Sequence, residues 1–310
     1  MSSTGSSDVV RVGRDRHVFA FGPDMVPAVE VDPGTVLHLD LNDCYFGQVR
    51  TEEDTPDTLD DALVNAATGP VAVRGALPGD PLVVDLLEIR TGNQGAATLM
   101  PGRGQLGHLL DKPATRILRV EDDLVHLGDV TFPTRPMVGV IGVATGGEVA
   151  PTLDAGPHGG NLDDNLNAAG SAVWLPVRQP GAMLAIGDMH AAMGDGEVSG
   201  TGVEIDGQVL VRVSLVRGVQ PHHPVTVTPT HWVTHGTAVE DLPAALDAAC
   251  EEAGKLLVDE WGFTVEDAFV FLSVACDAGI AQAVHPCPGT VIAKVKVPRV
   301  DACPLPFRPR

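Results

Sequence analysis

The chain has 310 residues, enough to bury a substantial core without disulfide staples. Its 41 acidic and 20 basic residues leave a formal charge of −21, which repels phosphate backbones and anionic headgroups, so neither nucleic acid nor a membrane is an expected partner. With 35 Gly and 25 Pro, a bundle of long helices is excluded.

Five cysteines, Cys44, Cys250, Cys276, Cys287 and Cys303, are an odd number, widely spaced and without a CxxC pair. That usage suits a reducing compartment, where free Cys behaves as a small buried hydrophobe. No stretch of 18 apolar residues occurs, and the N-terminus lacks the apolar run of a signal peptide. The expectation is a cytoplasmic protein.

In chain order, residues 1–8 read as a disordered polar tail and 9–310 as a single domain. Short β-branched runs fill the chain to about residue 235: Val36 to Leu41, Val71 to Val73, Pro81 to Arg90, Val138 to Val143, Ala182 to Ile186 and Gln208 to Val216. Pro-Gly turns at Pro33-Gly34, Pro78-Gly79 and Pro180-Gly181 precede several of them, Pro presetting φ and Gly supplying a positive φ. The fold class is mainly β, a multi-sheet antiparallel architecture. A helical pair is expected near 241–277: Asp241 caps a helix that stops at Gly262, and Thr264 opens a second that buries Phe269 and Leu272. Strand follows from Gly289 to Val300.

Two Gly-rich clusters concentrate chemistry, His158 to Asn165 and Gly187 to Glu197. Glycines beside a His let the backbone turn tightly and approach a ligand closely. Asp188 and His190, two apart, share a strand face, so with a third ligand from another loop they make a first shell for a divalent metal, most simply zinc. Farther upstream, His38, Asp40 and Asn42 alternate with leucines as the wet face of a strand, which ends at Asn42 and Asp43. Downstream, His222, His223, His231 and His235 read as pocket-edge or surface residues, and Trp232 as core.

The strings HGGNLDDN, GDMHAAMGDGE with the following VSGTGVEI, TGPVAVRGALPGDPLVVDLLEI and SVACDAGIAQAV together resemble the acetamidase/formamidase family, from about residue 15 to residue 300. The resemblance implies a β-rich hydrolase of small linear aliphatic amides, releasing ammonia and a carboxylate, and a homo-oligomer. The motif positions fall on His158, Asn161, Asp188, His190, Asp195 and Glu197. One departure is the segment Arg135-Pro136-Met137, which replaces a His-Pro-Gly type opening and is expected to border the pocket.

Amide hydrolysis needs an activated water, a stabilised oxyanion and a proton for departing ammonia. The expected site therefore has a divalent metal, zinc or alternatively calcium, on His158, Asp188, His190 and Asp43, with Glu197 shuttling protons beside Asp195 and Asn161. A cysteine nucleophile lacks a suitable lysine, Lys255 being the only one near a Cys in sequence. Serine chemistry lacks a GxSxG elbow. The competing class is a non-catalytic metal-binding β protein or small-molecule binding module.

Overall fold

The computed structural model describes residues 9–216, 221–286 and 289–301. The expected tail, Cys287 and Cys303 lie outside the described residues.

Two large sheets carry the architecture. In the first, nine strands run in the order Val10–Val12, Val36–Leu41, Gly207–Leu215, Pro81–Thr91, Ala172–Pro176, Val225–Val227, His231–Val239, Thr290–Pro298 and Asp277–Gln282. The second has seven, with Leu184–His190 between Met137–Gly142 and Ala67–Val73 at its centre. Pairing is antiparallel except for Val10–Val12 with Val36–Leu41 and Val29–Val31 with Ala67–Val73.

Alternation explains how the sheets stack. Leu37, Leu39 and Leu41 are fully buried while Val36, His38 and Asp40 are half-buried, so one face of that strand joins a core with Val138, Ile141, Leu184, Ile186 and Met189 of the second sheet. Each such side chain contributes about 1.5–3 kcal/mol by leaving water. Strands buried on both faces behave differently: Met137–Gly142 reads as a continuous apolar run, and Leu184–His190 does so only as far as Gly187, before Asp188 and His190.

The Leu184–His190 strand begins two residues later than expected, after Ala182 and Met183, whose φ of 60° and 61° turn the chain. It runs through Asp188 to His190. Gly34, Gly79 and Gly181 all adopt positive φ, as the Pro-Gly turns require.

Helix α1, Leu242–Lys255, is capped by Asp241, whose carboxylate accepts from Ala244 N at 3.0 Å. One π-helical turn, Leu256–Glu260, extends it before Gly262 at φ 72°. Ala245, Ala249 and Ala253 of α1 pack in a second core with Trp174, Trp232 and Val295. Helix α2, Val265–Ala275, is capped by Thr264, which accepts from Asp267 N at 3.0 Å. Its expected burial of Phe269 is corrected: Phe269 is 76% exposed, because α2 turns Ala268, Phe271 and Leu272 toward the core instead. Helical periodicity identifies faces, but not which one meets a neighbour.

Candidate active site

The end of the Leu184–His190 strand carries Asp188 and His190 on one face, and His190 Nε2 lies 3.5 Å from Asp188 Oδ1. An isolated bridge between His190 and Glu204 brings a second carboxylate to 3.0 Å from the same nitrogen, and Glu197 Oε1 stands at 4.0 Å. Asp163 arrives from the loop after Gly159–Asn161, and Cys44 from the loop after Val36–Leu41. The ligand atoms of Asp163, His190 and Glu197 lie within 4.8 Å of one another, as do those of Cys44, Asp188 and Glu204. All four carboxylates and His190 are buried, yet a cleft of about 760 Å³ reaches Cys44, Asp163, Asp188, Glu197 and Glu204 and also touches Asn161, Arg103 and Gln282.

Missing side chains and unusual backbone make this packing possible. A Cβ at Gly139 would collide with both Asp188 Oδ2 and Asp163 Oδ1, and one at Gly202 would sit 2.5 Å from His190 Nδ1. Asp163, Asp188 and Glu197 have φ of 39°, 53° and 43°, a sparsely populated region that costs about 1–3 kcal/mol per residue and persists where the surroundings enforce it.

Electrostatics follow from four carboxylates out of water around one imidazole. Burial raises Glu197 to about 7 and Glu204 to about 8, with the Asp188 charge adding to both against the pull of His190. Asp163 is also held well above the usual carboxylate range, by burial and then by Glu197 and Asp188. Asp188 goes the other way: burial opposes its charge, but the neighbouring His190 outweighs it. His190 itself is raised well above the normal imidazole range, since the charges of Glu204 and Asp188 overcome desolvation. Burial, then the Glu204 charge, raises the Cys44 thiol.

Several polar atoms here have no hydrogen-bond partner: Asp163 Oδ1, Asp188 Oδ1, Glu204 Oε2 and both His190 ring nitrogens. Buried polar groups are rarely left so, and a set of carboxylates, imidazole and thiol with free lone pairs fits a divalent cation.

The Acetamidase/Formamidase family model matches residues 14–156 and 145–300. The chain belongs to this family. The crystal structure of an acetamidase from Bacillus halodurans is 36% identical with a TM-score of 0.90, covering 93% of this chain and 97% of that one. An acetamidase from Mycolicibacterium smegmatis is 26% identical over 84% of this chain and 86% of its own length. A Schizosaccharomyces pombe relative is 26% identical over 63% of this chain, which spans only 63% of that relative.

Of the residues that the acetamidase/formamidase motifs single out, Asp188, His190 and Glu197 converge. Asn161 joins them at the cleft wall, donating to Asp163 Oδ2 at 2.5 Å and accepting from Asn65 at 3.1 Å. The expectation of His158 as a ligand is corrected. His190 pairs with Met137, whereas His158 precedes Gly159, the partner of Gly142. Five residues of extended strand separate the two by about 17 Å. His158 instead packs against Phe21, with ring centroids 5.2 Å apart, and burial followed by the Arg178 charge depresses it to about 4.

Asp43 is also no member of either group: its Oδ1 caps a turn by accepting from Gly47 N at 3.1 Å, and its Oδ2 faces Arg50 at 3.5 Å. Asp195 does not line the cleft, and its side chain is 58% exposed. Arg135 and Met137 do not line it either; Arg135 donates to Met193 O at 3.1 Å and Met137 is buried beside His190.

Asp163, Glu204 and Cys44 were missed, although Asp163 lies in HGGNLDDN and Glu204 in VSGTGVEI. His235, expected at a pocket edge or the surface, is fully buried against Asp164 at 2.8 Å, while Trp232 is core as expected.

Proposed function

We propose that this cleft hydrolyses small linear aliphatic amides of formamide or acetamide size to ammonia and a carboxylate. Membership of the acetamidase/formamidase family supports this over a non-catalytic binding module. The observation that carries the reading is the convergence of Asp163, Asp188, Glu197 and Glu204 on one cleft, around the buried His190.

The chemistry asks for a group able both to take and to return a proton near neutrality, and Glu197, raised by burial to about 7, has that property. Glu197 accepts a proton from the attacking water as the C–O bond forms, then delivers it to the nitrogen as the C–N bond breaks. Asp163, kept neutral by burial, donates to the carbonyl oxygen as negative charge gathers there. Asn161 aims Asp163 through its 2.5 Å bond. The Asp188–His190 pair supplies fixed charge beside them.

A divalent ion would be held by Asp188, Glu204 and Cys44, with His190 Nε2 adjacent. Bound there it supplies Lewis acidity and a more acidic water. The Cys44 sulfur among these donors favours zinc over calcium, which takes oxygen ligands. A neutral amide is indifferent to the −21 charge, whereas the product carboxylate is repelled by it.

Cys44, Cys250 and Cys276 are free thiols, in keeping with a cytoplasmic location, and no helix among the described residues is long and apolar enough to cross a membrane. The nine-stranded sheet spans both cores, which supports one domain over 9–310. Homo-oligomerisation rests on the family likeness, and light scattering of the purified chain tests it.

The decisive assay is ammonia release from formamide, acetamide and propionamide, repeated after chelation and zinc return. Turnover of at least one amide that is lost in Glu197→Gln is expected. No release from any of them overturns the reading, and full activity in metal-free protein removes the ion from it.

A further inference from the structure

Lys294 is one of four lysines in the chain, and its side chain is 3% exposed. Its Nζ donates to Asp164 Oδ1 at 2.9 Å and to Asp195 Oδ1 at 2.7 Å. These carboxylates come from separate loops. Asp164 directly follows Asp163, and Asp195 precedes Glu197 by two residues, so one ammonium grips both loops beside their cleft residues.

The groups around it complete the grip. Asn165 Nδ2 donates to Asp195 Oδ1 at 2.9 Å, tying one loop to the other. His235, opposite Lys294 in the antiparallel register, meets the second oxygen of Asp164 at 2.8 Å and places its other ring nitrogen 3.0 Å from Pro224 O. On the far side of the strand Lys294 faces Gly279, which has no side chain to compete.

We propose that Lys294 is a positioning residue for hydrolysis, holding the Asp164 and Asp195 loops so that Asp163 and Glu197 meet at His190. The inference rests on the proton-transfer roles assigned above to Asp163 and Glu197. Stability alone does not call for a lysine here, since buried ion pairs are often replaceable by apolar residues at no cost. An apolar side chain could fill the volume, but it could not bind two carboxylates from two loops at fixed distances. Asp195 thereby has a role although it is outside the cleft. Displacing a reacting group by about 1 Å costs on the order of 100-fold in rate, so the expected signature is a loss in kcat with substrate binding retained.

The experiment compares Lys294→Met, Lys294→Arg and Asp195→Ala with the wild-type chain, using steady-state hydrolysis of the best amide. Lys294→Met should lose roughly 100-fold in kcat with KM changed less than about threefold. Lys294→Arg, which keeps a cation able to reach both carboxylates, should recover at least tenfold of that loss. A folded Lys294→Met with kcat within about threefold of wild type overturns the proposal, as does a loss that Arg fails to rescue or that falls on KM. If Lys294→Met does not fold, Asp195→Ala decides, because its exposed side chain can be removed without a cavity: about a tenfold fall in kcat is expected, and an unchanged kcat overturns the proposal. Glu197→Gln is assayed alongside. Full activity there overturns the underlying reading of Glu197, whereas an inactive Glu197→Gln beside an unaffected Lys294→Met overturns only the positioning role.

Discussion

His190 Nε2 and Glu204 Oε2 lie 3.0 Å apart with both side chains buried, 14 residues apart in sequence and joined by an isolated β-bridge. The charge of Glu204 is the largest influence favouring protonated His190 against desolvation. Removing one partner of a buried pair strands the other, at about 3–5 kcal/mol. Glu204→Ala should therefore lower the urea unfolding free energy by that amount. Glu204→Gln, which keeps the shape and an acceptor oxygen for His190, should lose under about 1.5 kcal/mol while amide turnover falls about 100-fold or more. Equal destabilisation by both substitutions would show that the charge of Glu204, rather than its shape, carries the stability at this position.

Gly139 gives Asp188 and Asp163 the room to approach each other. An added methyl must displace one of these carboxylates, and overpacking of this kind costs about 1–3 kcal/mol. Gly139→Ala should reduce the thermal midpoint by several degrees and lose most activity. Native stability with wild-type kcat would contradict the close approach.

His158 makes stability depend on pH. Its folded value of about 4 lies below the ordinary 6.5, so between those limits the unfolded chain binds the extra proton. Stability is then fully present above pH 6.5 and falls as pH drops toward 4, by roughly 3 kcal/mol. The raised Glu197 and Glu204 act with the opposite sign, losing stability as pH rises from 4.5 through about 7 and 8. The His158 contribution is isolated by comparison with His158→Leu: between pH 7 and 4.5 the urea midpoint of the wild-type chain should fall relative to that of the variant. An unchanged pH dependence in the variant would place the proton elsewhere.

Cys44 tests the ion. If its sulfur is a ligand with Asp188 and Glu204, Cys44→Ala should weaken zinc binding by about 10–100-fold, read by competition with a chelating dye. Unaltered affinity would assign the ion to the Asp163, His190 and Glu197 group instead.

Local chemistry was legible in the sequence because its causes are local. Alternation placed Val36 to Leu41, side-chain oxygens marked Asp241 and Thr264 as caps, and the i, i+2 rule put Asp188 and His190 on one face. The Gly-rich strings marked the two segments around which the cleft assembles. Which members of those segments meet was decided by tertiary structure. His158 and Asp163 are only five residues apart in one string, yet strand pairing carries His158 to Phe21 and turns Asp163 toward His190. Cys44 meets Glu204 from 160 residues away, and Lys294 meets Asp164 from 130, so these contacts depend on strand register and sheet stacking. Hydrophobic patterning acts over a few residues and specifies elements; the meeting of charges across sheets is set only when those elements pack.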